Sequence, residues 1–225
     1  MNQRRNTSIT ADFPGAACPP RSVIRFVGTG GHEHRATVTS IRARGAHAVD
    51  DAGVEWNVPY AGILSVDDAP ASECTLGEIE SLGNRVVSSF QASGMLPSEW
   101  VFGFDLATSR AGVCRYAERR IDLSVSYCLA ATRAEIEDTV LHEIAHAIVG
   151  PRHNHDAVWK AKAREIGCAG ERCHRVQHST PKWVGECGCG QQWFRQTLQR
   201  RIMRNRACAK CGGTITWRRN TDAVA

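Results

Sequence analysis

The 225-residue sequence has no run approaching the roughly 20 apolar residues that a bilayer-spanning helix needs, so no membrane segment is expected. Residues Met1 to Pro20 include Arg4 and Arg5 but lack the apolar core of a secretory signal, so a cytoplasmic chain within reach of the nucleoid is expected. Acids are almost missing from one segment: between Lys182 and Arg219, nine Lys or Arg stand against Glu186 alone, a net +8. Because the whole chain carries +5, the remainder sums to −3. This asymmetry points to an acidic partner, and the partner expected is nucleic acid.

The composition itself, 42% hydrophobic and 23% charged, is that of a globular protein. The length suits one enzyme-sized domain with one or two small modules. Ten cysteines are many for such a chain. A reducing compartment disfavours disulfides, so these thiols are read first as metal ligands.

Along the chain, residues 1–20 mix polar residues with Pro14, Pro19 and Pro20 and read as a flexible leader in which Cys18 has no ligand role. Residues 21–68 carry four short β-type runs, Val23 to Val27, Ala36 to Ile41, Ala46 to Val49 and Val54 to Tyr60, and predict a small SH3-like or Tudor-like β-barrel. A linker near Val66 to Glu73 leads to Thr75-Leu76-Gly77-Glu78, a capping box that starts a helix with its apolar face at Leu76, Ile79, Leu82, Val86 and Phe90. Strand-like pieces at Trp100 to Phe104, Gly112 to Tyr116 and Arg120 to Ser124 are expected to form a small antiparallel sheet. A second capping box, Thr132-Arg133-Ala134-Glu135, opens a helix that ends at Gly150-Pro151.

That second helix carries His142-Glu143-Ile144-Ala145-His146. Helical geometry puts the two histidines on one face, where both imidazoles reach a single ion, and sets Glu143 beside it. Zinc with three protein ligands keeps a position for water, and a neighbouring carboxylate is the natural proton acceptor. His153, His155 and Glu165 compete for the third ligand position. His155 is preferred, at the start of a helix from about Ala157 to Glu165 that Asn154 or Asp156 caps and Gly167 ends. Tyr116 and Tyr127 are the tyrosines near enough in sequence to serve as oxyanion donors.

The run Val140 to Ala147, followed by His155-Asp156-Ala157-Val158-Trp159 and Ile166-Gly167, resembles the SprT-like family of zinc metalloproteases, whose second phrase is commonly His-Gly-x-x-Trp. Asp156 stands here in place of the glycine. The upstream residues Trp100, Gly112, Cys114 and Ile121 to Ser124 share the resemblance, which covers about residues 75–217. It implies an α+β, zincin-like domain over residues 74–180, with His142, His146 and His155 on a catalytic zinc and Glu143 catalytic. The family includes Spartan-like proteases that degrade proteins crosslinked to DNA, which implies a protein substrate near DNA.

Residues 181–219 pair Cys187-Gly188-Cys189 with Cys208-Ala209-Lys210-Cys211, and glycines supply the turns. This predicts a zinc ribbon with a closed, structural ion, so the cofactors expected are two Zn2+, one catalytic and one structural. Trp193, Phe194, Arg195, Arg200, Arg201, Arg204 and Arg206 lie between the cysteine pairs and are candidates for stacking on bases and neutralising phosphates. Cys168, Cys173, His174 and His178 form a further Cys/His-rich stretch, read as a loop capping the active site. Cys74, Cys114 and Cys128 are isolated and read as packed small hydrophobes, and residues 220–225 are a tail. The rival reading is a zinc-stabilised nucleic-acid-binding or assembly protein with no proteolytic activity.

Overall fold

The computed structural model describes residues 12–68, 72–170, 181–195, 197–198 and 207–220. Five strands, β1 (Val23–Val27), β2 (Glu33–Arg42), β3 (Gly45–Asp50), β4 (Glu55–Pro59) and β5 (Ile63–Asp67), form one antiparallel sheet in the order β4-β3-β2-β1-β5. The four expected β-type runs lie on the first four strands. β5 runs two residues, Val66 and Asp67, into what reads as a linker, and a short 3-10 turn, Tyr60–Gly62, separates it from β4. Among the described residues the pairing is not closed into a ring, since β4 and β5 end the order on opposite edges.

Part of the expected flexible leader is folded. Pro14–Ala17 form a 3-10 turn, and Phe13 and Cys18 are buried. Phe13 meets the Tyr60 ring edge-on at 5.7 Å, and the Tyr60 hydroxyl donates to the Arg42 carbonyl at 2.6 Å. Burial of two apolar side chains outweighs the local absence of periodicity that marked this stretch as flexible. Of the expected leader, residues 1–11 lie outside the described residues.

Helix α1 (Leu76–Ala92) begins with the expected capping box: the Glu78 carboxylate accepts from the Thr75 N–H at 2.8 Å, and the Thr75 hydroxyl accepts from the Glu78 N–H at 3.2 Å. Its buried face includes Leu76, Ile79, Leu82 and Val87, with Val86 and Phe90 packed beside them. Gly83 lies under the Phe102 ring, where a Cβ would come within 2.6 Å of the ring carbons, so the glycine lets the sheet settle on the helix.

That sheet comprises β6 (Val101–Asp105), β7 (Gly112–Arg115) and β8 (Arg120–Ser124) in the order β6-β8-β7. It is mixed: β7 and β8 pair antiparallel, but β6 runs parallel to β8. The antiparallel expectation fails because β8 inserts between β6 and β7. The chain passes through β7 and then returns as β8 alongside β6, antiparallel to β7 and so parallel to β6. β7 is left at an edge.

A single turn, α2 (Val125–Cys128), leads to α3 (Arg133–Val149), capped by Thr132 and Glu135 as expected. Helix α4 (Ala157–Glu165) follows. One apolar cluster runs from Ile24, Phe26 and Val38 on the first sheet through Ile79 and Leu82 on α1 to Ile136, Val140 and Ile144 on α3. A C-terminal sheet of β9 (Trp183–Cys187), β10 (Gln192–Arg195) and β11 (Ile215–Arg219), ordered β10-β9-β11, carries the four ribbon cysteines at one end. The molecule is thus α+β, with an antiparallel sheet at each end of the chain and the helices between. No helix among the described residues is long and apolar enough to cross a membrane.

Candidate metal centre

The site begins with how α3 ends. Gly150 takes φ 83, a left-handed conformation that glycine adopts freely, and the chain turns back there instead of continuing the helix. The following loop returns His155 to the face of α3 that carries His142 and His146. The Nε2 atom of His155 lies 2.9 Å from that of His142 and 3.0 Å from that of His146. His155 pays for this position with φ 54, which costs a non-glycine residue about 1–2 kcal/mol.

Three imidazole nitrogens converging on one point suit a metal ion. Tetrahedral zinc at about 2.0–2.1 Å from each nitrogen spaces its ligand atoms by about 3.3 Å, close to what the three rings already present. His142 and His146 are buried, and burial, aided by the neighbouring His155, lowers the His146 pKa from the ordinary 6.5 to about 4. The ring is therefore neutral at pH 7, as ligation requires. His146 also bonds to the backbone of His153, which fixes the ring and leaves Nε2 facing its neighbours.

Beneath the triad lies Trp159, fully buried. Its ring centroid is 4.6, 5.1 and 4.5 Å from those of His142, His146 and His155. The two other candidates for third ligand lie elsewhere. His153 pairs through Nδ1 with Asp156 at 2.8 Å, and Glu165 is exposed and bound to Lys162 at 2.7 Å.

Glu143, the residue after His142 and about 100° around the helix from it, turns its carboxylate toward β7. It is 7% exposed, and burial pushes its carboxyl pKa up to about 7 against the opposing effects of Arg110 and the Cys114 backbone N–H, with Asp105 adding to the rise. Arg110 and Asp105 belong to an ionic chain below the site. Arg110 pairs with Asp105, Arg115 bridges Asp105 at 2.9 Å and Asp122 at 2.7 Å, and Arg120 pairs with Asp122. None of these partners of Glu143 is visible in the sequence. They stand about 30 residues upstream, and no spacing rule links a helix to the strand it will pack against.

The two tyrosines part company. Tyr127 is fully buried, and its hydroxyl bonds to Thr139 Oγ1 at 2.7 Å and to the Glu135 carbonyl at 3.0 Å, away from the triad. It is a core residue and not an oxyanion donor. The Tyr116 hydroxyl donates to the His146 carbonyl at 3.2 Å, on the α3 turn that carries the triad.

A second cluster joins the four C-terminal cysteines. The Sγ atoms of Cys187 and Cys211 are 3.4 Å apart and those of Cys189 and Cys208 3.6 Å. Zinc at about 2.3 Å from each sulfur spaces them by about 3.8 Å. Each knuckle closes on a left-handed glycine, Gly190 at φ 83 and Gly212 at φ 72. The shortened Cys-x-Cys pair therefore still brings both of its thiols to the cluster. Trp193 and Trp217 flank Gly185 from the two neighbouring strands, and a Cβ there would lie 2.8 Å from the Trp217 ring. Phe194 is 55% exposed, Arg195 is exposed, and the Arg219 guanidinium sits 4.6 Å over the Trp183 ring. Arg200, Arg201, Arg204 and Arg206 lie outside the described residues, as do Cys173, His174 and His178. Cys168 is buried against Ala145, Trp159 and Ala163, and Cys74 and Cys128 are buried as small hydrophobes.

Comparison with known proteins bears on the central region: residues 87–180 match the SprT-like family. No curated protein and no solved structure matches the chain.

Proposed function

Starting from the SprT-like domain that residues 87–180 form, and the metallopeptidase that this family implies, we propose that the chain is a zinc-dependent endopeptidase acting on proteins held on nucleic acid. The observation that carries the reading is the pairing of a convergent triad, His142, His146 and His155, with a buried carboxylate, Glu143, one residue from a ligand. A zinc ion held by His142, His146 and His155 would supply Lewis-acid polarisation of a peptide carbonyl and a water of lowered pKa, toward about 7. The triad residues would hold the ion, with Trp159 and the His153 backbone fixing their rings. Glu143 accepts the proton of the attacking water on its carboxylate and returns it to the leaving amine nitrogen. β7, the edge strand beside Glu143, offers unpaired backbone groups to an extended substrate chain.

The nucleic-acid part rests on the C-terminal segment. Its net +8, the exposed Phe194 and Arg195 on an edge strand, and the Arg219–Trp183 stack combine cations with aromatic faces, as single strands require. The four-cysteine cluster would hold that surface rigid.

The test is cleavage of a denatured protein, and of a protein crosslinked to DNA, by wild type and Glu143→Gln, each with and without single-stranded DNA and with zinc content measured. Cleavage by wild type alone, stimulated by DNA, is expected. If both proteins bind zinc and DNA but neither cleaves, the non-proteolytic binding protein is the correct reading.

A further inference from the structure

We propose that β7 is the positioning element for Glu143: the absent side chain of Gly112 leaves the space the carboxylate occupies, and the outward N–H of Cys114 holds it there. The functional consequence rests on the peptidase reading above, while the placement stands on the packing alone.

The strand register defines which amides are free. The Ser124 N–H donates to the Ala111 carbonyl at 2.7 Å, and the ladder continues with Gly112 opposite Leu123, Val113 opposite Asp122 and Cys114 opposite Ile121. Bonded and non-bonded pairs alternate along antiparallel strands, so Val113 and Arg115 turn their N–H groups to β8 and Cys114 turns its own outward. At an open sheet edge such an amide would face water. Here the buried Glu143 carboxylate, packed against Gly112 two residues away, is the acceptor we assign to it, in a charge-assisted bond out of solvent.

Gly112 determines whether the carboxylate can be there. A Cβ at this position would lie 2.8 Å from Glu143 Oε1, 2.9 Å from its Cγ and 3.0 Å from Leu123 Cδ2. Leu123 is fully buried in the core, so the group with room to yield is Glu143. Gly112 is not among the residues with positive φ, so alanine fits the backbone and any penalty comes through the displaced carboxylate. Gly112 is thus a positioning residue that never touches substrate.

The experiment is amide hydrogen exchange by NMR on the zinc-loaded full chain, comparing wild type with Gly112→Ala, Glu143→Asp and Glu143→Ala. In wild type the Cys114 amide is expected to exchange slowly despite facing outward. All three variants are expected to speed it by at least about tenfold, the cost of losing a hydrogen bond to a charged group, while Val113 and Arg115 stay unchanged. In parallel, Gly112→Ala should lower kcat by about 100-fold at constant KM and zinc content, as a displacement near 1 Å does. Adding Glu143→Asp to Gly112→Ala should cost less than the product of the two single losses, since both break one contact.

Fast exchange of Cys114 in wild type, or unchanged exchange in Gly112→Ala, overturns the proposal. If Gly112→Ala fails to fold, the two Glu143 variants test the bond on the native strand, and unchanged exchange in them is equally fatal. Wild type that cleaves nothing removes the peptidase reading but leaves the exchange result to decide the placement.

Discussion

The Asp156 carboxylate accepts the backbone N–H of Trp159 at 3.0 Å, capping α4 immediately after His155 of the histidine triad. This is the position at which the SprT-like phrase commonly has glycine. Asp156 sits at φ −76, an extended conformation open to any residue, while the left-handed angle falls on His155. The aspartate therefore replaces flexibility with a cap, and its second oxygen pairs with His153. Asp156→Ala should destabilise the chain by about 1 kcal/mol and loosen zinc, whereas Asp156→Gly should cost only about a few tenths. Chemical denaturation and zinc competition on the two variants check this order.

Tyr127 is a structural tyrosine. Its hydroxyl is buried between Thr139 and the Glu135 carbonyl, and the Thr139 hydroxyl also donates to that carbonyl at 2.7 Å. Tyr127→Phe should therefore cost about 1 kcal/mol, a typical buried hydrogen bond, with kcat/KM and zinc content unchanged. A large fall in kcat at native stability would return Tyr127 to the reaction. Thermal unfolding and peptide cleavage on the same preparation distinguish the two.

Local signals carried most of what was legible in the sequence. Both capping boxes open helices where Thr75 and Thr132 stand, and Gly150 ends α3. The four-residue step from His142 to His146 put two histidines of the triad on one face, and α4 runs over the expected residues. What escaped depends on distant pairing. The parallel direction of β6 follows from β8 inserting between β6 and β7, and the burial of Phe13 from a partner, Tyr60, far along the chain. The same holds for Glu143, whose neighbours Gly112, Cys114 and Arg110 come from another element. Cys114, read as an isolated hydrophobe, contributes its backbone to this contact.

Two donor sets of different chemistry predict two separable zinc ions. The wild-type chain should bind two equivalents by metal analysis. Cys187→Ser with Cys211→Ser should leave one, and His146→Ala should leave the other. The consequences for folding differ as well. The cysteine cluster ties the Cys187 end of β9 to the 208–211 turn beside a core of few residues, so its loss should expose β9 to β11 to rapid hydrogen exchange. α3 is packed in the main cluster through Ile136, Val140 and Ile144 and should stay protected without either ion. Loss of both metals in either variant would mean that the sites are not independent.

Trp159 offers the sharpest test of how the triad is held. Its ring contacts all three imidazoles, at centroid distances from 4.5 to 5.1 Å, and is itself fully buried. A flat surface of that size limits the rotation of each ligand ring at little entropic cost, since the tryptophan is locked by Ala145 and Ala163. Trp159→Phe keeps a planar ring and should retain most zinc affinity. Trp159→Leu fills part of the volume but removes the plane, and should weaken zinc at the triad by about 10- to 100-fold, the range for residues that orient metal ligands. Competition against a chelator of known affinity, in a chain whose cysteine cluster is already loaded, measures the triad alone. Equal affinity in both variants would mean that Trp159 fills space and nothing more, and that His155 is held by its own backbone turn and the Asp156 cap.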